Sequence, residues 1–229
     1  MSDDIHPLAD FAGTVRLFPL PNVVLFPQVM QPLHIFEPRY RQMTADALQA
    51  DRLIAMVLLK PGWEAGYAAG PAIHPVACLT RIVAEQKLAD GRYNILLRGL
   101  SRIRILHEVP GKTLYRQARV QLLNDTPALG NARDKKWRRL LAKLITVWAP
   151  KEGGVLQQFR KLLKSDVALG PLCDILSFAL PLDVEIKQEL LEELDVERRV
   201  KRLLKALVPD SPKAPAAADK KFPPEFSLN

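Results

Sequence analysis

The sequence is poor in the residues that most often build disulfide scaffolds and metal sites. It contains 2 cysteines and 4 histidines in 229 residues. Cys78 and Cys173 stand far apart in apolar surroundings, whereas a disulfide scaffold uses more cysteines at closer spacing. We therefore expect two buried, reduced thiols. No two histidines stand four residues apart, and no Cys-x-x-Cys motif occurs, so we expect no metal and no other cofactor.

A membrane-spanning or secretory segment is also missing. The longest apolar run, residues 53–59, is much shorter than the roughly 20 residues that span a bilayer. Residues 1–7 are acidic and lack the apolar stretch of a secretory signal. These features predict a soluble, cytoplasmic protein without a membrane partner.

Catalytic and nucleotide-binding motifs are absent too. Gly111-Lys112-Thr113 resembles the end of a phosphate-binding loop, but Leu106 stands where that motif requires its first glycine. We interpret this segment as a turn between strands. No Gly-x-Ser-x-Gly motif occurs, and Lys164 and Ser165 are neighbours on a predicted helix, so they do not face each other. The sequence therefore predicts no enzyme active site, and an unrecognised hydrolase is the least favoured function.

The first half of the chain has the apolar patterns of β-strands. Residues 53–59 read as a strand that is buried on both faces, and Ala89-Asp90-Gly91 predicts a hairpin turn. One helix is expected to begin at Pro38. Short strands at regular spacing favour a β-barrel with this one inserted helix over residues 13–123. The predicted strands are residues 15–18, 23–26, 53–59, 76–84, 92–97, 101–109 and 114–123.

The second half has the periodicity of amphipathic helices. Five helices are predicted, with breaks at Pro150, at Pro181 and before an N-cap at Asp195. They form a helical bundle over residues 131–208. Residues 209–229 are rich in proline and alanine and read as a flexible tail. The fold class is therefore α+β, with a β-barrel followed by a helical bundle.

Basic residues are in excess, and the formal net charge is +8. Many of them lie on the first and last helices of the bundle, opposite the apolar stripes, where an ordinary solvated helix face carries charge. An RNA-binding surface that joins both faces is the alternative function. Because neither cluster interleaves aromatic residues, nucleic acid is the less favoured partner. The two clusters are Lys135, Lys136, Arg138, Arg139 and Lys143, and Arg198, Arg199, Lys201, Arg202 and Lys205.

Two segments carry more specific information than periodicity does. The first is Arg16-Leu-Phe-Pro-Leu-Pro-Asn-Val-Val-Leu-Phe-Pro, followed by Pro32-Leu-His-Ile-Phe-Glu-Pro-Arg-Tyr-Arg-Gln-Met. The second begins at Leu180 and reads Leu-Pro-Leu-Asp-Val-Glu-Ile-Lys-Gln-Glu-Leu-Leu-Glu-Glu-Leu-Asp-Val-Glu-Arg-Arg-Val-Lys-Arg-Leu-Leu. In this order they resemble the opening and the close of the N-terminal, substrate-recognition domain of Lon proteases. The resemblance covers about residues 14–207.

The resemblance implies a fold and a role. The fold is a PUA-like β-barrel packed on a helical bundle, in agreement with the two periodicities. The implied role is to engage unfolded or exposed polypeptide segments without hydrolysing them, because the ATPase and the Ser-Lys peptidase of a full Lon protease follow this domain. We therefore expect a stand-alone, non-catalytic module whose partners are polypeptide segments and also a protease or chaperone.

Candidate contact residues lie mainly in the glycine-rich loop of residues 61–71. Trp63 and Tyr67 have no periodic reason to be buried there, and loops on a rigid barrel often bind ligands. The alternative is that both side chains fold back and plug one end of the barrel. Arg39 and Tyr40 are further candidates, although a purely structural role explains them more simply.

The phenylalanines of the first segment have a structural interpretation. We expect Phe18, Phe26 and Phe36 in the barrel core, and His34 as a hydrogen-bonded core or turn residue.

Overall fold

The first half of the chain folds into a sheet of six strands with one helix inserted. The computed structural model describes residue 8 and residues 11–64, 70–127, 131–148, 155–208 and 227–228. In chain order the elements are β1 (Thr14–Leu20), β2 (Met30–Ile35), α1 (Pro38–Leu48), β3 (Leu53–Leu58), β4 (Val76–Lys87), β5 (Tyr93–Val109) and β6 (Gln117–Leu123).

The second half is helical and confirms the predicted set of five helices. These are α2 (Asn131–Trp148), α3 (Val155–Lys164), α4 (Leu169–Ala179), α5 (Val184–Glu192) and α6 (Val196–Ala206). Asp195 caps α6 as predicted, since its side chain accepts a hydrogen bond of 2.9 Å from the backbone N–H of Arg198. A two-residue strand, β7 (Ser227–Leu228), lies within the predicted tail, whose other residues are outside the described part of the chain.

Five strands pair in a closed ring. β1 pairs with β3 in parallel and with β6 in antiparallel orientation, and the antiparallel pairs β3–β4, β4–β5 and β5–β6 complete the circuit. β2 lies outside this ring, on the first half of β5. The structure therefore confirms the α+β class, as a barrel-like sheet extended by one strand and followed by a helical bundle.

One alternating set of side chains fills the interior of the ring. All five strands contribute to it, and three of its members are alanines, which suit the narrow interior of so small a ring. The set consists of Val15, Leu17, Leu53, Ala55, Val57, Ala77, Leu79, Ile103, Ala118 and Val120.

The opposite set of side chains joins the ring to the helices in one continuous core. Ile54, Met56 and Leu58 of β3 belong to this core, together with Trp137 of α2 and Leu176 of α4. β3 is therefore buried on both faces, as the sequence predicts. The hairpin at Asp90-Gly91 is also confirmed, because Lys87 of β4 lies opposite Tyr93 of β5.

Residues 23–26 are not a strand, and this prediction was wrong. Pro21 and Pro27 flank the segment, and it lies as an irregular buried stretch across β5. The backbone N–H groups of Gln28 and Gly99 donate to the carbonyls of Gly99 and Val29, over 2.9 Å and 2.8 Å. A Cβ atom at Gly99 would stand 2.0 Å from the carbonyl oxygen of Phe26. Only glycine permits this approach.

Other strand boundaries also differ from the predictions. β5 is one strand where two were predicted, because Arg98 and Gly99 continue the pairing with β4. β6 begins at Gln117 rather than at Leu114. β2 was not predicted at all, although its proline is typical of an edge strand.

The expectation for Phe36 was wrong as well. Its side chain is 40% exposed, whereas Phe18 and Phe26 are buried as predicted. Phe36 follows β2 and continues the solvent-facing set of that strand, so it alternates with buried Ile35. His34 lies on the same face and is hydrogen-bonded, because its Nδ1 lies 2.7 Å from Oδ1 of Asn94.

Candidate functional site

A narrow cleft opens where the end of β1, the start of α1 and two loops meet. Its walls are Pro19, Arg39, Tyr40, Leu59, Gly70, Pro71, Leu114, Tyr115 and Arg116. Two of the four candidate residues from the sequence, Arg39 and Tyr40, therefore line one site.

Tyr40 is a fixed part of the cleft wall. Its side chain is buried, its ring packs 4.4 Å from the ring of Phe18, and its hydroxyl donates to the carbonyl of Pro19 over 3.2 Å. Pro38 begins α1 and thereby sets the direction in which Tyr40 enters the core. This arrangement supports the structural interpretation of Tyr40, which offers only part of its ring to the cleft.

Arg39 covers the Tyr40 ring from the outer side. Its guanidinium carbon lies 4.6 Å from the ring centroid, and its Nε donates to the carboxylate of Glu37 over 3.0 Å. Such stacking holds a cation at the rim of an apolar surface. Arg39 is therefore held at the rim of the cleft, where its guanidinium pairs with Glu37 at 2.8 Å.

The loop that carries Trp63 stands at one side of the cleft. Its base is closed by the pairing of Leu59 with Ile73 and by a 2.8 Å hydrogen bond from the Lys60 N–H to the Ala72 carbonyl. Trp63 is half-buried in this loop and is not among the residues that line the cleft. Tyr67 lies outside the described residues, so its predicted role stays a prediction.

A second loop, residues 110–116, forms the facing wall. Its position is fixed by α1, since the Leu114 N–H donates to Gln42 over 2.9 Å and the Tyr115 hydroxyl donates to Asp46 over 2.8 Å. Burial, together with the Asp46 carboxylate, raises the pKa of Tyr115, so this hydroxyl stays protonated. The Leu114 side chain is 66% exposed beside the cleft. This loop also confirms that residues 111–113 form a turn.

A second arginine completes the rim of the cleft. Arg116 donates to the Pro71 carbonyl over 2.8 Å and to the Glu108 carboxylate over 2.7 Å. The pKa of Glu108 is lowered because Arg116 hydrogen-bonds to its charged form. The hydrogen bond to Pro71 thus ties the Trp63 loop to the β5–β6 loop, and the ion pair with Glu108 holds Arg116 in place.

The dimensions of the cleft decide what it can hold. Its volume is about 30 Å³, whereas pockets for small molecules measure roughly 300–1,000 Å³. A volume this small corresponds to about one or two water molecules, so the cleft is a shallow surface feature and does not enclose a small-molecule substrate. No cluster of three or more potential metal ligands occurs among the described residues.

The two basic helix faces are adjacent, but they are not a continuous basic patch. Lys136 of α2 and Lys201 of α6 each lie 5.5 Å from the centroid of the Trp137 ring. Acidic partners interrupt the cations, since Glu197 pairs with Lys201 at 3.4 Å and with Arg133 at 3.3 Å.

The assignment of Arg199 to an exposed face was wrong. Arg199 is fully buried and pairs with Asp125, because α6 turns this side chain toward the barrel. Arg138 is also withdrawn from the surface, since it donates to the carbonyls of Leu163 and Ser165 at the end of α3, over 3.2 Å in each case.

A comparison with known protein families identifies the family to which the chain belongs. The family described as the ATP-dependent protease La (LON) substrate-binding domain matches residues 14–208. The chain belongs to this family. The match includes both end segments whose residues carry the resemblance, and it spans the barrel as well as the bundle.

Relatives and solved structures agree with the family. A Lon protease from Syntrophus aciditrophicus is 31% identical over 198 residues, which cover 82% of this chain and 24% of that protein. Lon protease 2 from Myxococcus xanthus is 25% identical and is covered to the same extent, 24%. This Lon-family chain thus spans about a quarter of the length of the curated relatives that it matches.

Two solved structures share the fold. The Lon N-terminal domain protein from Xanthomonas campestris has a TM-score of 0.60 at 23% identity, over 83% of this chain and 96% of that one. The N-terminal domain of a Mycobacterium avium complex Lon protease has a TM-score of 0.63 at 16% identity, over 85% and 97%. In the described part of our Lon-family chain, no helix is both long and apolar enough to cross a membrane.

The sequence did not identify every residue of the site. Leu114 and Arg116 lie in what was predicted as a strand, so their place on the cleft wall was missed. The signal available for them was Lys112-Thr113, since a turn after Gly111 leaves the next residues in a loop.

Proposed function

We propose that this chain binds unfolded or exposed polypeptide segments and does not cleave them. The observation that carries the proposal is the match of residues 14–208 to a substrate-binding domain family. The region of similarity in the full-length relatives is about a quarter of each protein. In this proposal residues 14–208 supply the recognition step, and a protease or chaperone partner supplies the processing of the bound protein.

The cleft gives this proposal a physical basis. Leu114 and Pro71 offer apolar contact, and Arg39 at the rim offers a cation for a carbonyl or carboxylate. An unfolded segment presents both kinds of group, whereas a folded protein keeps most of its large apolar side chains inside. Half-buried Trp63 in the adjoining loop adds a flat apolar surface.

A pull-down with an unfolded protein tests the proposal. We expect beads that carry reduced, carboxymethylated α-lactalbumin to retain the chain, and beads that carry the native, disulfide-bonded protein to release it. The α-lactalbumin should keep its full length on a denaturing gel. Equal retention on both beads, or fragments of the bound protein, would refute the proposal.

The proposal also includes a cellular location and one alternative ligand, nucleic acid. We place the chain in the cytoplasm, where unfolded and partly folded chains arise during synthesis. Retention on immobilised RNA that falls steeply with salt would instead favour the nucleic-acid alternative.

A further inference from the structure

The strand β2 has one edge on which residues 227–228 lie. Among the described residues, β2 pairs with β5 on one side and with β7 on the other. The pairing with β7 is parallel and sets Leu33 opposite Ser227 and His34 opposite Leu228. An extended segment is thus seated on this edge through main-chain pairing, which is the geometry of strand addition.

The position of the pairing follows from the chemistry of β2. Pro32 has no backbone N–H, so it cannot donate to an added strand. Its carbonyl already accepts a 2.8 Å hydrogen bond from the side-chain amide of Gln31. The edge is therefore closed at residue 32 and open from Leu33 onward, where the added strand lies.

The face beside this edge carries exposed apolar side chains among polar ones, since Met30 lies opposite Arg98 and His34 opposite Asn94. Met30 and Phe36 are 43% and 40% exposed, and Pro32 between them also faces solvent. The rings of His34 and Phe36 lie parallel to within 27°, with centroids 6.3 Å apart. Alternate side chains of an added strand would meet such a face.

The residues of the terminal segment indicate what kind of ligand the edge accepts. Phe226-Ser227-Leu228 places apolar residues at alternate positions around a small polar one, which is the pattern of a strand with one apolar face. We expect a segment of another protein that binds this edge to share this pattern, with an extended backbone and apolar residues at positions i and i+2.

We propose that the edge of β2 at Leu33–Ile35 binds extended polypeptide segments by strand addition, and that the C-terminal residues of this chain occupy the edge until such a segment displaces them. This inference rests on the proposed function, because it names the place and the mode of polypeptide binding. According to this inference, the C-terminal residues compete with a foreign segment for the same edge of β2. A tail that holds the edge in about 80% of molecules weakens the apparent affinity about fivefold.

The test frees the β2 edge in the 229-residue chain. Ser227→Pro with Leu228→Pro removes two backbone donors from β7 and leaves the barrel and bundle unchanged. Ala216→Pro with Ala218→Pro is the matched control, because it puts the same two prolines into the tail away from β7. Fluorescein-labelled, reduced carboxymethylated α-lactalbumin is the probe, and its anisotropy reports the affinity.

Hydrogen exchange locates the binding in the same samples. We expect the Ser227→Pro/Leu228→Pro variant to bind the probe about fivefold more tightly than wild type and than the control. We expect amides of residues 33–36 to exchange faster in this variant than in wild type, and the added probe to restore their protection.

Each remaining outcome has a definite consequence. If the variant binds like wild type and the probe protects only residues 59–73 or 110–116, the edge is not the site, while the proposed function stands. If residues 33–36 exchange faster in the variant but neither the variant nor wild type binds the probe, the proposed function is refuted. The binding of a foreign segment at this edge is refuted with it. If the variant forms dimers through residues 33–36, a second copy is the occupant, and the inference is overturned.

Discussion

Arg102 of β5 and Asp174 of α4 form a bidentate ion pair between the barrel and the helical bundle. The two guanidinium nitrogens donate to the two carboxylate oxygens over 2.9 Å and 2.6 Å, and the side chains are only 3% and 2% exposed. The Nε of Arg102 donates to the Leu191 carbonyl over 2.9 Å. One arginine thus fixes the ring of strands against two helices.

A second pair, in which the side chain of Asp125 is 27% exposed, extends this cluster and makes it neutral. Arg199 donates to Asp125 over 3.0 Å, and its Nε lies 3.4 Å from the Asp174 carboxylate. Two guanidinium groups therefore balance two carboxylates. Since buried charges are tolerated only when they are paired, the four residues act as one unit.

Removing one member of the unit should destabilise the fold strongly. We expect Arg102→Met to lower the free energy of unfolding by about 3–5 kcal/mol, because Asp174 is left buried with less compensation. Urea denaturation followed by circular dichroism measures the change. Arg92→Met, which breaks the exposed pair with Asp90, is the control and should leave the midpoint unchanged. A similar midpoint for both variants would contradict the structural role of Arg102.

Gly99 should tolerate no side chain. In Gly99→Ala the new Cβ would stand 2.0 Å from the Phe26 carbonyl oxygen, a backbone atom. We expect a loss of about 1–3 kcal/mol from the overpacking that results. Gly111→Ala is the matched control, since its new Cβ meets no atom closer than 3.7 Å. Thermal unfolding compares the two, and equal midpoints would show that residues 26–29 can move away from β5.

The two thiols should be unreactive in the folded protein. Burial raises the pKa of both Cys78 and Cys173 to about 12, because it disfavours the thiolate. We expect iodoacetamide at pH 8 to label neither thiol in buffer and both in concentrated urea. Mass spectrometry counts the labels. Rapid labelling of the native protein at either position would show that the core opens there.

The two loops beside the cleft should contribute to polypeptide binding. We expect Leu114→Ala and Trp63→Ala each to weaken the binding of reduced, carboxymethylated α-lactalbumin about tenfold, or by about 1.4 kcal/mol. Leu114 is 66% exposed, so its replacement should leave stability unchanged. Leu106→Ala is the control, because Leu106 is 54% exposed and does not line the cleft. Equal affinities for all three variants would remove the cleft from the binding surface.

Local patterns predicted much of this fold. The apolar run of β3, the Asp90-Gly91 turn and the Asp195 cap each depend on neighbouring residues only, and each is confirmed. The periodicity of the second half likewise predicted the five helices that the structure describes there.

The predictions that failed depend on distant residues. The irregular segment of residues 23–26 ends against Gly99, which approaches the Phe26 carbonyl and pairs with Gln28 and Val29 from far along the chain. Arg199 looked like a surface residue because its partners, Asp125 and Asp174, belong to other elements. The cleft is non-local in the same way, since β1, α1 and two loops contribute to it. No sequence pattern within one segment can predict that these elements lie side by side in the fold.

The preference for unfolded over folded polypeptide tests the central claim most directly. The measurement is the ratio of the dissociation constants of the wild-type chain for native and for reduced, carboxymethylated α-lactalbumin, with the mass of the substrate checked afterwards. We predict a ratio of at least about 10, equivalent to about 1.4 kcal/mol, with a substrate of unchanged mass. A ratio near one, or a shortened substrate, would contradict the claim.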